Sequence, residues 1–210
     1  VSLVWRSSSG KALTGEMTVP GDKSVSHRAI MLGAIAEGIT KVSGFLEGED
    51  TRATARIFQQ LGVRIETPSA SERVIHGVGL YGLKGCQEDL DCGNAGTAMR
   101  LLTGLLAGQK FHSRLVGDAS LFKRRMRRGI APLSAMNASV QSEEGGLPPL
   151  VIDFKNELQA IEYKTEVASA QVKSAILLAG LYARGETTVY EPHPTRDYTE
   201  KMLAAFGWPI

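Results

Sequence analysis

The sequence predicts an α/β globule built on a threefold repeat, with the third copy cut short. Three observations carry this. β-like runs alternate with helix-period stretches along the chain. A first set of helices opens on small or hydroxyl residues near Lys23-Ser24, Gly96-Thr97 and Ala168-Ser169. A second set opens near Asp50, Lys123 and Arg196, positions 73 residues apart each time, and such a period marks an internal repeat.

In the first copy, Pro20-Gly21 stops an extended run and Asp22 offers a cap, so a helix starts at Lys23. It is expected to close at Gly38, before a strand over Thr40 to Ser43, a helix from Asp50, and strands over Val63 to Glu66 and Arg73 to His76. The second copy repeats this: a helix closing at Gly108, a strand over Phe111 to Val116, and a helix from Lys123 that includes Gly129 and Asn137. Pro148-Pro149 then leads into a strand over Leu150 to Asp153. The third copy has a helix from Ser169 closing at Gly185, a strand over Thr187 to Tyr190, and a helix over Asp197 to Phe206. There the sequence stops inside a repeat, so the natural protein is expected to carry on.

Composition narrows the function classes. The chain has 210 residues, 43% hydrophobic, and its 24 Lys and Arg nearly balance 22 Asp and Glu, which excludes a polycation that coats nucleic acid. Cys86 and Cys92 have no second pair for a disulfide framework or a zinc site; free thiols in a reducing, cytoplasmic setting are expected. The longest apolar stretch, Ala175 to Ala183, is interrupted by Gly180 and falls well short of the ~20 residues of a membrane span. His27 has no further His or Cys at ligand spacing, so a packed or hydrogen-bonded role is expected and no metal.

Each first helix carries a basic residue one turn in: Arg28, Arg100 and Lys173. Helix N-termini expose unpaired N–H groups and a partial positive charge. Three such mouths in one globule point to a site for a multiply charged ligand, one bearing phosphate and carboxylate. Arg125, Arg127 and Arg128 read instead as a solvated basic face, because only Phe122 supplies the aromatic interleaving a nucleic-acid surface needs.

Four segments together carry a resemblance. They are Gly21-Asp22-Lys23-Ser24-Val25-Ser26-His27-Arg28, Gly93-Asn94-Ala95-Gly96-Thr97, Ser169-Ala170-Gln171-Val172-Lys173-Ser174-Ala175, and Thr195-Arg196-Asp197-Tyr198-Thr199-Glu200-Lys201-Met202-Leu203. In order and spacing the chain resembles the 5-enolpyruvylshikimate-3-phosphate synthase family, over its whole length. The resemblance implies one enolpyruvyl transferase-type globule of three βαβαββ units, out of two such globules in the complete protein. Residues 1–20 would cross to the second globule. It further implies transfer of the enolpyruvyl group of phosphoenolpyruvate to the 5-hydroxyl of shikimate 3-phosphate, on the shikimate route to chorismate and the aromatic amino acids, with no cofactor and no metal.

Carried onto this sequence, the resemblance implies that Lys23 touches both substrates and takes part in catalysis. Ser24 and Arg28 would hold the shikimate ring and its carboxylate, Arg28 as a bidentate fork. Ser169 would bind the 3-phosphate with support from Thr195 and Arg196, and Gln171 would reach both ligands. Asn94, Gly96 and Arg124 would line the phosphoenolpyruvate pocket, where a residue as small as Gly96 leaves room for glyphosate. Arg100 and Lys173 would stand behind these as supporting charges. The carboxylates that move the proton would belong to the C-terminal half, so the chain alone is expected to be inactive. The pattern departs from the family at Arg125, where a proline is usual, and at Gly129 and Asn137.

Two other readings share these features: a non-catalytic half-protein that only binds phosphate ligands, and a relative of RNA 3′-terminal phosphate cyclases, which use the same repeat architecture. The Asp22-Lys23-Ser24 and Asn94-Ala95-Gly96-Thr97 segments, together with the balanced charge, speak against the RNA reading; a half-protein that only binds phosphate ligands would carry the same motifs.

Overall fold

A computed structural model describes residues 3–210. Residues 3–22 form neither helix nor strand, and their apolar side chains Leu3, Val4, Trp5, Leu13, Met17 and Val19 are exposed. From Lys23 onward the repeat is plain. The first unit holds α1 (Lys23–Ile35), β1 (Glu37–Ser43), α2 (Glu49–Gln60), β2 (Arg64–Ser69) and β3 (Glu72–Val78). The second holds β4 (Leu90–Asp91), α3 (Gly96–Ala107), β5 (Ser113–Val116), α4 (Arg127–Ala135), β6 (Ser139–Glu143) and β7 (Leu147–Asp153). The third holds β8 (Glu162–Lys164), α5 (Ala170–Gly180), β9 (Thr188–Tyr190) and α6 (Tyr198–Ala205).

Each unit brings its own sheet. The orders are β1-β3-β2, β4-β5-β7-β6 and β8-β9. β4 lies parallel to β5 and β8 parallel to β9, whereas β1, β2 and β3 pair antiparallel, as do β5, β7 and β6. The second unit therefore shows the full β-α-β-α-β-β order, and the third shows its first four elements.

The first helix of every unit is an inner helix. Ile30, Met31, Met99, Leu102, Leu105, Ala175 and Ile176 are completely buried, and α1, α3 and α5 bury residues on nearly every side, polar Ser26, His27, Arg28, Lys173 and Ser174 among them. The sheets and second helices close over them: α2 buries only Thr51, Ala53, Thr54, Ile57 and Phe58, and β7 buries every second residue, the period of a strand with one face inward. One continuous core results.

α3 and α5 make the most extensive of the helix–helix contacts, and Gly104 permits their close approach. A Cβ at Gly104 would lie 2.1 Å from the carbonyl oxygen of Ala175. That is backbone against backbone, so only a missing side chain lets the two inner helices meet here.

Several expectations need correction. Lys123 does not begin the second helix of its unit. Residues Leu121–Lys123 form a single 3₁₀ turn and Arg124 is extended, so α4 starts at Arg127, and the interval of 73 residues holds for the first two inner helices but not for the second set. The cause is local. Asp118 Oδ1 accepts from the backbone N–H of Ser120 and of Leu121, which spends the turn before a helix can propagate. Of the three glycines expected to close helices, only Gly108 stands at a helix end; Gly38 lies inside β1 and Gly185 is well past α5. Asn137 is outside α4, in the left-handed region with φ 71°, a conformation asparagine tolerates.

Candidate functional site

Asp22 caps α1 by accepting from Val25 N–H at 2.8 Å. This fixes Lys23 on the first turn, where its ammonium lies 2.9 Å from Asp50 Oδ2 at the start of α2. Lys23 remains half exposed, so the pair leaves it free to meet a ligand. Asp50 was legible as a helix opening but not as the partner of Lys23, since 27 residues separate them.

One turn further on, Arg28 is 4% exposed and stitches three elements together. Its Nε donates to Thr199 Oγ1 at 2.7 Å, its Nη2 to Ser174 Oγ at 2.8 Å, and its Nη1 to the Ser24 carbonyl at 3.0 Å. A guanidinium has five N–H donors, so one remains on each Nη, and a two-pronged grip on a carboxylate would use those. Burial draws Arg28 below the ordinary arginine value, and nearby Glu200 offsets part of that.

The mouth of α3 is built around glycine. A Cβ at Gly96 would lie 3.0 Å from Arg100 Nη1 and 3.2 Å from Arg124 Nη1, so two guanidinium groups stand over a bare backbone turn. Arg124 donates to the Asn94 carbonyl at 3.3 Å and to Asn94 Oδ1 at 2.6 Å, and Asn94 Nδ2 donates to Asp118 Oδ2 at 2.8 Å. The bond from Asn94 and the two backbone N–H groups hold the Asp118 carboxyl below the usual carboxylate range. Burial, then the neighbouring charge of Arg124, lowers Arg100.

Ser169 is the N-cap of α5, its Oγ accepting from Val172 N–H at 3.4 Å. Gln171 joins this mouth to that of α3: its Nε2 donates to Thr97 Oγ1 at 2.9 Å, and its Oε1 accepts from Arg100 Nη1 at 3.0 Å. Arg28 makes the other link, from α1 to α5 through Ser174. The N-terminal parts of the three inner helices are thus bonded together, with Lys23, Arg100 and Arg124 on the face they share and Arg28 buried between α1 and α5.

A cavity of about 650 Å³ opens beside that face, lined by Arg100, Ser169, Gln171, Arg125, Arg127 and Arg128 among others. The last three are exposed, as expected of them, but they border the site instead of lying apart from it. Arg196 is exposed and packs over the Tyr198 ring at 5.9 Å, while Arg28 approaches the same ring at 6.0 Å. Thr195 donates its hydroxyl hydrogen to Glu191 Oε1.

Lys173 does not face the site. It is 6% exposed, with its ammonium 2.8 Å from Glu191 Oε2 and 2.6 Å from Glu200 Oε1. Burial pulls it down, but the two carboxylates outweigh burial and hold it above the ordinary lysine value. Cys86 and Cys92 are free, and burial pushes the Cys92 thiol up out of its reactive range. His27 is fully buried, its Nδ1 2.8 Å from Thr54 Oγ1.

Residues 8–210 match the family described as EPSP synthase (3-phosphoshikimate 1-carboxyvinyltransferase). The 3-phosphoshikimate 1-carboxyvinyltransferase of Xanthomonas campestris pv. campestris is 65% identical over 206 residues, covering 98% of this chain and 47% of that protein. That of Xanthomonas axonopodis pv. citri is 63% identical over the same shares. The structure of EPSP synthase from Acinetobacter baumannii superimposes with a TM-score of 0.90 at 58% identity, covering 93% of this chain and 44% of the other. The chain spans about half the length of the curated relatives it matches. By its fold and its motifs in sequence, the chain belongs to the EPSP synthase family.

Proposed function

We propose that this chain supplies the shikimate 3-phosphate site, and part of the phosphoenolpyruvate site, of an enzyme that transfers the enolpyruvyl group of phosphoenolpyruvate to the 5-hydroxyl of shikimate 3-phosphate with release of phosphate. The observation that carries the reading is the joined face of three helix mouths, held by Gln171 to Thr97 and Arg100 and by Arg28 to Ser174. A ligand with a phosphate at one end and a carboxylate at the other needs positive charge and free N–H groups at two separated points, and helix mouths supply both.

In this reading the phosphate of shikimate 3-phosphate sits at the α5 mouth, on Ser169 with Thr195 and Arg196. Its carboxylate takes the remaining N–H groups of Arg28, beside Ser24. Phosphoenolpyruvate sits over the bare turn at Gly96, between Lys23, Asn94, Arg124 and Gln171, where the cations offset the charge that develops as phosphate departs. The chain's own contribution is to position two anions against each other at fixed distance. The Lys23 and Asp50 pair aims the ammonium.

The remaining half of the relatives' length is proposed to form a second globule that closes over this face and brings the proton-transferring carboxylates. The exposed stretch 3–20, which forms neither helix nor strand, supports a role as the crossing to that globule. No described helix is long and apolar enough to cross a membrane, and a cytoplasmic site of action is part of the proposal. The test is a phosphate-release assay. The 210-residue chain alone should show no turnover, and adding the separately expressed other half should restore it. Sustained release by the chain alone, dependent on both substrates and lost in Lys23→Ala, would contradict the division of labour.

A further inference from the structure

Thr195 and Arg196 sit in the segment between β9 and α6, Glu191-Pro192-His193-Pro194-Thr195-Arg196-Asp197. Pro192 and Pro194 fix φ at their own positions, but residues 192–196 make no backbone–backbone hydrogen bond among the described residues. Its side-chain tie to the rest of the fold runs through a buried cluster. Glu191 uses one carboxylate oxygen to accept from the Thr195 hydroxyl and the other to meet Lys173 at 2.8 Å. Lys173 turns at the same time to Glu200 of α6 at 2.6 Å. It stands four residues beyond Ser169, so the ammonium ties the segment to the same helix whose mouth it borders.

From this geometry we infer that Lys173, Glu191 and Glu200 form a positioning network. It fixes the turn of Thr195 and Arg196 against the mouth of α5 and so sets the distance between Ser169 and Arg196. The charges support it. One ammonium meets two carboxylates, so the cluster is net negative, and it lies behind the cations Arg28 and Arg196, which share the Tyr198 ring. Glu200 Oε2 is buried with no hydrogen-bond partner among the described residues. Burying a carboxylate without full satisfaction is costly, and a link needed only for stability would do better with packed apolar side chains. The network also joins Arg28 to the turn, because Thr199, the neighbour of Glu200, accepts from Arg28 Nε and donates to Ser174. None of the three cluster residues touches ligand in the proposed reading; they act through Thr195, Arg196 and Arg28.

The inference rests on the proposed shikimate 3-phosphate site for its consequence, but not for its structural content, and the experiment separates the two. Backbone ¹⁵N relaxation of the ligand-free chain reads the turn directly. In the wild type the heteronuclear NOE of Thr195 and Arg196 should match that of α5 and α6. In Glu191→Ala it should drop to the values of an open loop, with the helices unchanged. Thr195→Val cuts only the bond on the turn side and should loosen the same two residues, which keeps the test open if Glu191→Ala does not fold. In parallel, calorimetry on Glu191→Ala, which touches no ligand in this reading, should show a split between shikimate 3-phosphate and shikimate. The phosphate-bearing ligand should lose about tenfold in affinity, the scale of one charge-assisted contact, while shikimate changes by less than twofold. A turn as rigid in Thr195→Val and in any folded Glu191→Ala as in the wild type would overturn the network, and so would equal losses for both ligands. If the wild type binds neither ligand, the functional reading falls and the relaxation data alone decide the network.

Discussion

Gln171 on α5 donates to Thr97 on α3 at 2.9 Å while accepting from Arg100 at 3.0 Å. One amide thereby joins two helix mouths that lie 74 residues apart in sequence. Removing it should separate them. Gln171→Ala loses a neutral and a charge-assisted hydrogen bond, together worth about 2–4 kcal/mol. Urea unfolding should show a loss of that order, and calorimetry should show at least tenfold weaker binding of shikimate 3-phosphate.

The same pair of helices depends on a glycine in the core. Gly104→Ala would place its methyl 2.1 Å from the Ala175 carbonyl oxygen, and overpacking of this kind costs roughly 1–3 kcal/mol or more. Thermal unfolding should show a clear fall in Tm. Gly129→Ala is the control: a Cβ there meets nothing, α4 contains the position, and the change should be neutral or stabilising by up to about 1 kcal/mol.

Burial of His27 makes stability depend on pH. Burial, against some help from Asp50, lowers its pKa from 6.5 to about 4 in the fold. The unfolded chain therefore takes up a proton first as pH falls. Stability from this group is constant above pH 6.5, declines between pH 6.5 and about pH 4 by at most ~1.4 kcal/mol per pH unit, and is flat below. Asp118, lowered by Asn94 and two backbone N–H groups, adds a loss of the same sign at lower pH. Urea midpoints from pH 8 to pH 4 should show the decline, and His27→Gln should flatten it.

Much of this was legible in the sequence, and the boundary has a physical cause. The inner helices were readable because their starts are written locally: Asp22 caps α1, Ser169 caps α5, and glycine marks the α3 mouth. Their inner position was not read: α1 buries Ser26, His27 and Arg28 along with its apolar residues. The start of α4 was misread because the 73-residue interval was extended to Lys123, whereas Asp118 tightens the chain into a 3₁₀ turn and Met126 N–H bonds to the Gly146 carbonyl. Partners across the fold left no local trace. Arg28 finds Thr199 across 171 residues, Lys173 finds Glu191 and Glu200, and Lys23 finds Asp50. The motifs named the cations, and only the packing of the three units names the carboxylates and hydroxyls that hold them.

Gly96 should matter for the ligand and little for the fold. A methyl there must push aside the Arg100 and Arg124 guanidinium groups, now 3.0 and 3.2 Å from that point, both flexible side-chain ends. Gly96→Ala should weaken phosphoenolpyruvate and glyphosate in the reassembled two-half protein by about fivefold or more, the loss of one good polar contact. Shikimate 3-phosphate should stay within twofold. Inhibition kinetics and calorimetry check the two halves of this statement.

The most direct test of the central claim is calorimetric titration of the chain with shikimate 3-phosphate, wild type beside Arg28→Ala. Saturable binding at one site is predicted. Arg28→Ala should raise Kd at least tenfold, since it removes a charge-assisted contact of about 1.5–3 kcal/mol and frees Ser174 and Thr199, which the guanidinium now holds. Absence of heat, with no movement of amide signals at Lys23, Gly96 or Ser169 at millimolar ligand, would contradict the account.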